Sequence, residues 1–318
     1  MAKNTVPQRL FTGKRSAAKP VLTLQKTVKI SSFEKEFFIS REIRGVSKST
    51  IDTYKDNFKR LYDFMECYNY EPNLDVLKNP NNVADYKSYL THKRKLAPHS
   101  VDSSLRHYRT IAYYAMKMGY IDKYEITLKR LEPPIKNCFN DEELERLAVK
   151  PDPQDFVSYR TWVMIHYLSS TANRISSALG LNVGDIDFTN NAITVRVQKN
   201  KHPRMKPLLL PLGRILNEYI QLYRCDANGE PMVKEPLFCN RYGTRLEYNS
   251  AHDAFQDYFV MCSVKFEGFH KFRHTYAANW IRQGGNPFML KEQLDHKTLE
   301  MTNRYANLYS MSTREEAE

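Results

Sequence analysis

The sequence predicts a mainly α-helical protein with one small antiparallel β-sheet, split into a helical bundle and a mixed α+β domain. Three observations predict this. Apolar residues recur at helix spacing through residues 31–131, a Pro133-Pro134 pair interrupts them, and the β-branched set Ile193, Val195 and Val197 then alternates within an otherwise helical stretch. A chain of 318 residues is long enough to bury two cores.

Residues 1–30 hold Lys3, Arg9, Lys14, Arg15, Lys19, Lys26 and Lys29 and no acid, which reads as a flexible basic tail. Two fates suit such a tail: a solvated arm, or one that lies along phosphates and orders on binding. From 31 to 131 the pattern is a bundle of four or five short helices. Ser47 suits an N-cap, and Ile51, Tyr54, Phe58, Leu61, Tyr62 and Met65 follow on one face. Val83, Tyr86 and Leu90 mark a short helix after the Asn-Pro-Asn-Asn turn. Pro98 opens another, which runs through Val101, Leu105, Tyr108, Ala112 and Ala115 towards Gly119. Residues 132–138 read as a linker, since neither Pro133 nor Pro134 continues a helix.

The second domain spans 139–318. It opens with Asn140 and Glu143 in capping-box spacing, and an apolar helix follows from Phe156 to Leu168. Strands are expected at 187–188, 192–198 and 205–211, with polar turns between them. Helices resume near Gly213, Asn249, Phe269 and Pro287, the last capped by Asn286.

The formal net charge of +12 favours a polyanionic partner, nucleic acid first and an anionic membrane surface second. No apolar run reaches the roughly 18 residues of a membrane span, so no transmembrane helix is expected, and of the two candidates DNA, not membrane, is the expected partner. The five cysteines are scattered, with no CxxC pair to suggest zinc. With their odd number and no secretory signal at the start, reduced thiols in a cytoplasm are the expectation.

The chemistry gathers near the end of the chain. His270 and Arg273 lie three apart on one helical face, His296 follows, and Tyr305 comes nine residues later. Arg carries a permanently charged planar fork that fits phosphate, and His accepts or donates protons. A tyrosine hydroxyl beside them is a candidate nucleophile for phosphoryl transfer. Taken singly, each residue has a plainer reading: a surface arginine, a core histidine, one of 21 tyrosines. His202, His252 and His274 are read as structural, His274 with a role in positioning its neighbours.

Ahead of these lies Thr171-Ala172-Asn173-Arg174-Ile175-Ser176-Ser177, followed by Gly184-Asp185-Ile186. This segment resembles the first arginine box of the tyrosine recombinases, the family of Cre, lambda integrase and the Xer proteins. In that family a lysine in a β-hairpin, His-Xaa-Xaa-Arg, a second His and a Tyr follow in that order. The resemblance covers about residues 31–310. It implies a helical core-binding domain, then a catalytic domain that cuts and rejoins DNA through a 3′-phosphotyrosine without metal, ATP or other cofactor.

Carried over residue by residue, the implied catalytic set is Arg174, Lys199, His270, Arg273, His296 and Tyr305. Lys199, at the strand end, is preferred as general acid, and Lys201 stays open. His270 is the nearest candidate base for Tyr305. Three positions depart from the family pattern: Asn173 and Ser177 replace a small residue and an acid around Arg174, and Asp295 stands where Gly is commoner.

The implied partners are double-stranded DNA, a homotetramer on paired sites, and an accessory DNA-bending or directionality protein. Leu308, Tyr309 and Met311 are candidates for the contact between protomers. The expected role is the integrase of a mobile element. A Xer-like dimer-resolving recombinase and a type IB topoisomerase are the alternatives.

Overall fold

The computed structural model describes residues 28–129, 131, 137–196, 203–302 and 305. The chain divides into two compact units, one up to residue 133 and one from 134 onward. Among the described residues no helix is long and apolar enough to cross a membrane.

The first unit is built on α1 (Ile30–Ile43), α2 (Lys48–Cys67), α3 (Asn82–Ser88) and α4 (Pro98–Lys117). The Ser47 hydroxyl accepts the Thr50 N–H and caps α2, and Pro98 occupies the first turn of α4. Phe33 and Phe37 of α1 pack against Phe58 of α2 and Tyr114 of α4 at tilted and edge-on angles. The Arg41 guanidinium lies over this aromatic centre, 4.4 Å from the Phe37 ring centroid.

The second unit contains α5 (Asp141–Ala148), α6 (Phe156–Thr171), α7 (Ile175–Leu179), α8 (Leu210–Tyr223), α9 (Tyr248–Met261), α10 (His270–Arg282) and α11 (Pro287–Gln293). Helix α6 is buried on nearly every side, from Tyr159 to Leu168, because α5, α8, α9 and α10 all pack against it. The Asn140 carboxamide and the Glu143 side chain form the expected reciprocal cap on α5.

The sheet is three antiparallel strands in the order β1 (Ile186–Asp187), β2 (Ala192–Val195), β3 (Arg204–Pro207). Lys206 pairs with Ile193, and Arg204 with Val195. The first strand starts one residue earlier than expected. The third ends at Pro207 instead of running to Pro211, because Pro211 falls in the first turn of α8. A proline's fixed φ and missing N–H suit that turn as well as they suit a strand end.

Helix α10 stops at a Gly284 with φ of +76°, and Gly285 then packs so tightly on the Trp280 indole that no Cβ would fit. This turns the chain sharply from α10 into α11.

Candidate active site

Two helix ends and the start of a third make the site. Helix α6 ends at Thr171, and Ala172 takes a left-handed conformation with φ of +51°. That single residue breaks the helix, so Arg174 emerges at the N-cap of α7. Asn173 is buried and donates to the Tyr167 hydroxyl at 2.6 Å, which anchors the break. A small residue there would leave that hydroxyl without this donor.

Helix α11 ends in a similar way. Asp295, the residue before His296, has φ of +50°. The backbone therefore requires the conformation that Gly adopts without strain, and Asp is among the few other residues that tolerate it. The Asp295 carboxylate is buried and lies 2.7 Å from the Arg204 guanidinium of β3, an ion pair whose N–H does not point squarely at the oxygen. The departure from Gly thus adds a tie between the His296 loop and the sheet.

Arg273 stands on α10 between these two ends. Its side chain is buried, with one terminal nitrogen donating to the Ala172 carbonyl at 2.9 Å and the other to the Leu294 carbonyl. Burial, together with the Arg174 charge, lowers this guanidinium to about 10; Tyr305 and Asp295 oppose the shift. Arg273 remains charged at neutral pH.

Tyr305 is only 8% exposed and packs with Ala172, Ala277, Leu290 and Leu294. His296 stacks on its ring at 6.4 Å between centroids and 6° between planes, and the His296 Nδ1 contacts the Thr302 hydroxyl at 2.9 Å. The Tyr305 hydroxyl lies 2.7 Å from Nδ1 of His274.

The structure therefore gathers Arg174, Arg273, His296 and Tyr305. His270, exposed at the first position of α10, is one ring further out, 6.3 Å from His274. Of the described residues, His274, which the sequence reads as structural with a role in positioning its neighbours, touches the Tyr305 hydroxyl. The available signal was its spacing: four residues after His270, it repeats the same helical face one turn on. Lys199, Lys201 and the tail segment with Leu308, Tyr309 and Met311 lie outside the described residues.

Lys206 carries no signal in the sequence reading. Lys206 of β3 is 5% exposed, and its Nζ donates to the Thr171 carbonyl at 3.0 Å and the Gln293 carbonyl at 2.6 Å. Burial lowers it to about 8; Asp295 opposes this, while Arg273, Arg204 and Arg174 add to it.

Comparison with known proteins agrees with this architecture. Residues 138–311 match the phage integrase family and residues 31–129 the phage integrase SAM-like domain. The tyrosine recombinase XerC of Chlamydia caviae is 28% identical over 56% of this chain and 57% of its own length. That of Anoxybacillus flavithermus is 24% identical over 83% of this chain and 89% of its own.

Among solved structures, the Tn1549 transposon integrase superposes with a TM-score of 0.68 at 17% identity, covering 88% of this chain and 95% of that one. XerH recombinase gives 0.67 at 20%, over 90% and 83%, and lambda integrase 0.64 at 14%, over 86% and 94%. At such identities these likenesses concern the fold. With the family match spanning more than half the chain and an ordered Arg, Arg, His and Tyr at one site, the protein belongs to the phage integrase family, the tyrosine recombinases, enzymes of site-specific DNA recombination.

Proposed function

We propose that Tyr305 attacks a DNA phosphodiester to form a 3′-phosphotyrosine, with Arg174, Arg273, His270 and His296 around the phosphate. The observation that carries this is the Tyr305 hydroxyl, held on His274 and beside the Arg273 guanidinium. The Tyr305 oxygen forms a bond to phosphorus as the bond to the 5′-oxygen breaks. Negative charge then builds on the non-bridging oxygens, where two guanidiniums and a histidine donor offset it in a preorganised site. The departing 5′-oxygen takes a proton from Lys199 or Lys201. The phosphotyrosine conserves the bond energy, so resealing needs no ATP.

The phenol proton goes to His274. Its Nδ1 is at hydrogen-bond distance, and general-base assistance contributes roughly 10²–10⁴ in rate. His274→Ala is therefore expected to slow single-turnover cleavage by about 10²-fold, and His270→Ala, further from the hydroxyl, to spare the acidic limb of the pH–rate profile. An unchanged acidic limb in His274→Ala, read from adduct formation against pH, would return the base role to His270.

The natural partner is double-stranded DNA, and the assembly a homotetramer, since two duplexes of two strands need four nucleophiles. The related structures include complexes of the Tn1549 integrase with circular intermediate DNA and of XerH with its difH substrate. The basic first 30 residues and the altered residues around Arg174 support an integrase of a mobile element, acting in the cytoplasm with an accessory DNA-bending or directionality protein. The XerC relatives support the second reading, a dimer-resolving recombinase.

A supercoiled plasmid with one or two copies of the flanking repeats tests the function. Strand exchange only with paired sites supports recombination; relaxation of any supercoiled plasmid would replace it with topoisomerase activity. Attachment-site repeats flanking the gene would separate the mobile-element reading from the Xer-like one.

A further inference from the structure

Two buried cations cross-brace the site, and only one belongs to the residue pattern of the family. Arg273 donates to the carbonyls of Ala172 and Leu294. Lys206 donates to Thr171 and Gln293, the residue before each of those. Both therefore bind the same pair of helix ends, those of α6 and α11. Helix C-termini leave carbonyls without intrahelical partners and carry a partial negative charge, so each is a suitable seat for an ammonium. Arg174 follows Thr171 by three residues and His296 follows Gln293 by three.

We propose that Lys206 is a positioning residue whose ammonium ties the end of α6 to the end of α11 and so sets the distance from Arg174 to His296. The proposal rests on the reading of those two residues as phosphate ligands. Lys206 itself does not reach the reacting atoms; it is enclosed by backbone and acts through the two helix ends. It lies on β3, the strand that follows the segment carrying Lys199 and Lys201, so the brace ties that strand to both ends. Asp295 and Arg204 add a second tie between the same strand and the His296 loop.

The charges facing Lys206 come from every packed element: Arg204 on β3, Arg174 at the start of α7, Arg273 on α10 and Asp295 beyond α11. Burial first, and then three cations against one carboxylate, bring the ammonium near its titration point. In the folded protein it releases its proton near pH 8, against an ordinary value of 10.5. Between those limits the unfolded chain binds more protons than the folded one. Stability attributable to this group therefore rises with pH across the window.

The test compares the full-length protein with Lys206→Met, which keeps the shape and loses the donors, and Lys206→Gln, which keeps a donor for one carbonyl. Adduct formation on a nicked site, DNA affinity and melting temperature are measured from pH 7 to 10. The Met variant is expected to bind DNA within about twofold of wild type and to cleave 10- to 100-fold more slowly, with the Gln variant between them. Its melting temperature relative to wild type should drop progressively from pH 8 to 10, because only wild type gains from releasing the proton.

Wild-type cleavage rates in both variants would overturn the proposal, as would a loss of cleavage matched by a loss of DNA affinity. So would melting profiles that stay parallel across the window. If the Met variant does not fold, the Gln variant decides by the same three readouts. The melting comparison needs no DNA chemistry, so a wild-type protein that formed no adduct would overturn the recombinase reading and leave the brace to be judged separately.

Discussion

Tyr305→Phe is expected to bind its DNA site with wild-type affinity and to form no covalent protein–DNA adduct, a loss on the order of 10⁴-fold or more. Only one oxygen is removed. The ring keeps its packing against Ala172, Ala277, Leu290 and Leu294, and its stacking on His296. The lost hydrogen bond to His274 is worth about 0.5–1.5 kcal/mol, too little to unfold the domain. Incubation with a nicked suicide substrate followed by denaturing electrophoresis reads the result. A denaturation-resistant adduct from the Phe variant would assign the nucleophile to another residue.

Arg273→Ala should carry two separable penalties. Loss of transition-state charge compensation costs about 10²–10³ in cleavage rate. The buried carbonyls of Ala172 and Leu294 also lose their donor, which costs about 1–3 kcal/mol of stability. Arg174→Ala should show a rate loss of the same order. Arg273→Lys is not expected to restore activity, since a point-charge ammonium lacks the planar fork that serves two carbonyls and still presents donors to a phosphate. Thermal denaturation and single-turnover cleavage measure the two penalties independently. Near-normal cleavage by either Ala variant would remove that arginine from the site.

Much of this was legible in the chain. Proline and glycine positions, caps and apolar spacing are local signals, and Ser47, Asn140, Asn286 and Pro98 each sit where the helices begin. Arg174, Arg273, His296 and Tyr305 were legible as an ordered set. What stayed hidden depends on tertiary placement. Pro211 satisfies either a strand end or a helix start, and only the packing of α8 selects the second. His274 shares its helical face with His270, and spacing alone cannot show which of the two meets Tyr305.

Lys206 is the clearer case. A lysine between Met205 and Pro207 in a short strand reads as solvent-facing, yet Met205 is 71% exposed and Lys206 is enclosed. Strand alternation places the lysine inward, and the acceptors that make this tolerable come from residues 35 and 87 positions away. No local pattern carries that information.

The burial of Tyr305 bears on restraint as well as on chemistry. Its ring serves as the plug of a small apolar cluster, so withdrawing it exposes the surface it now covers, at about 2–3 kcal/mol for a side chain of this kind. At equilibrium an outward ring is then present in roughly one molecule in a hundred. The packing of Leu290 and Leu294 thereby keeps the hydroxyl on His274 in nearly every molecule before DNA arrives.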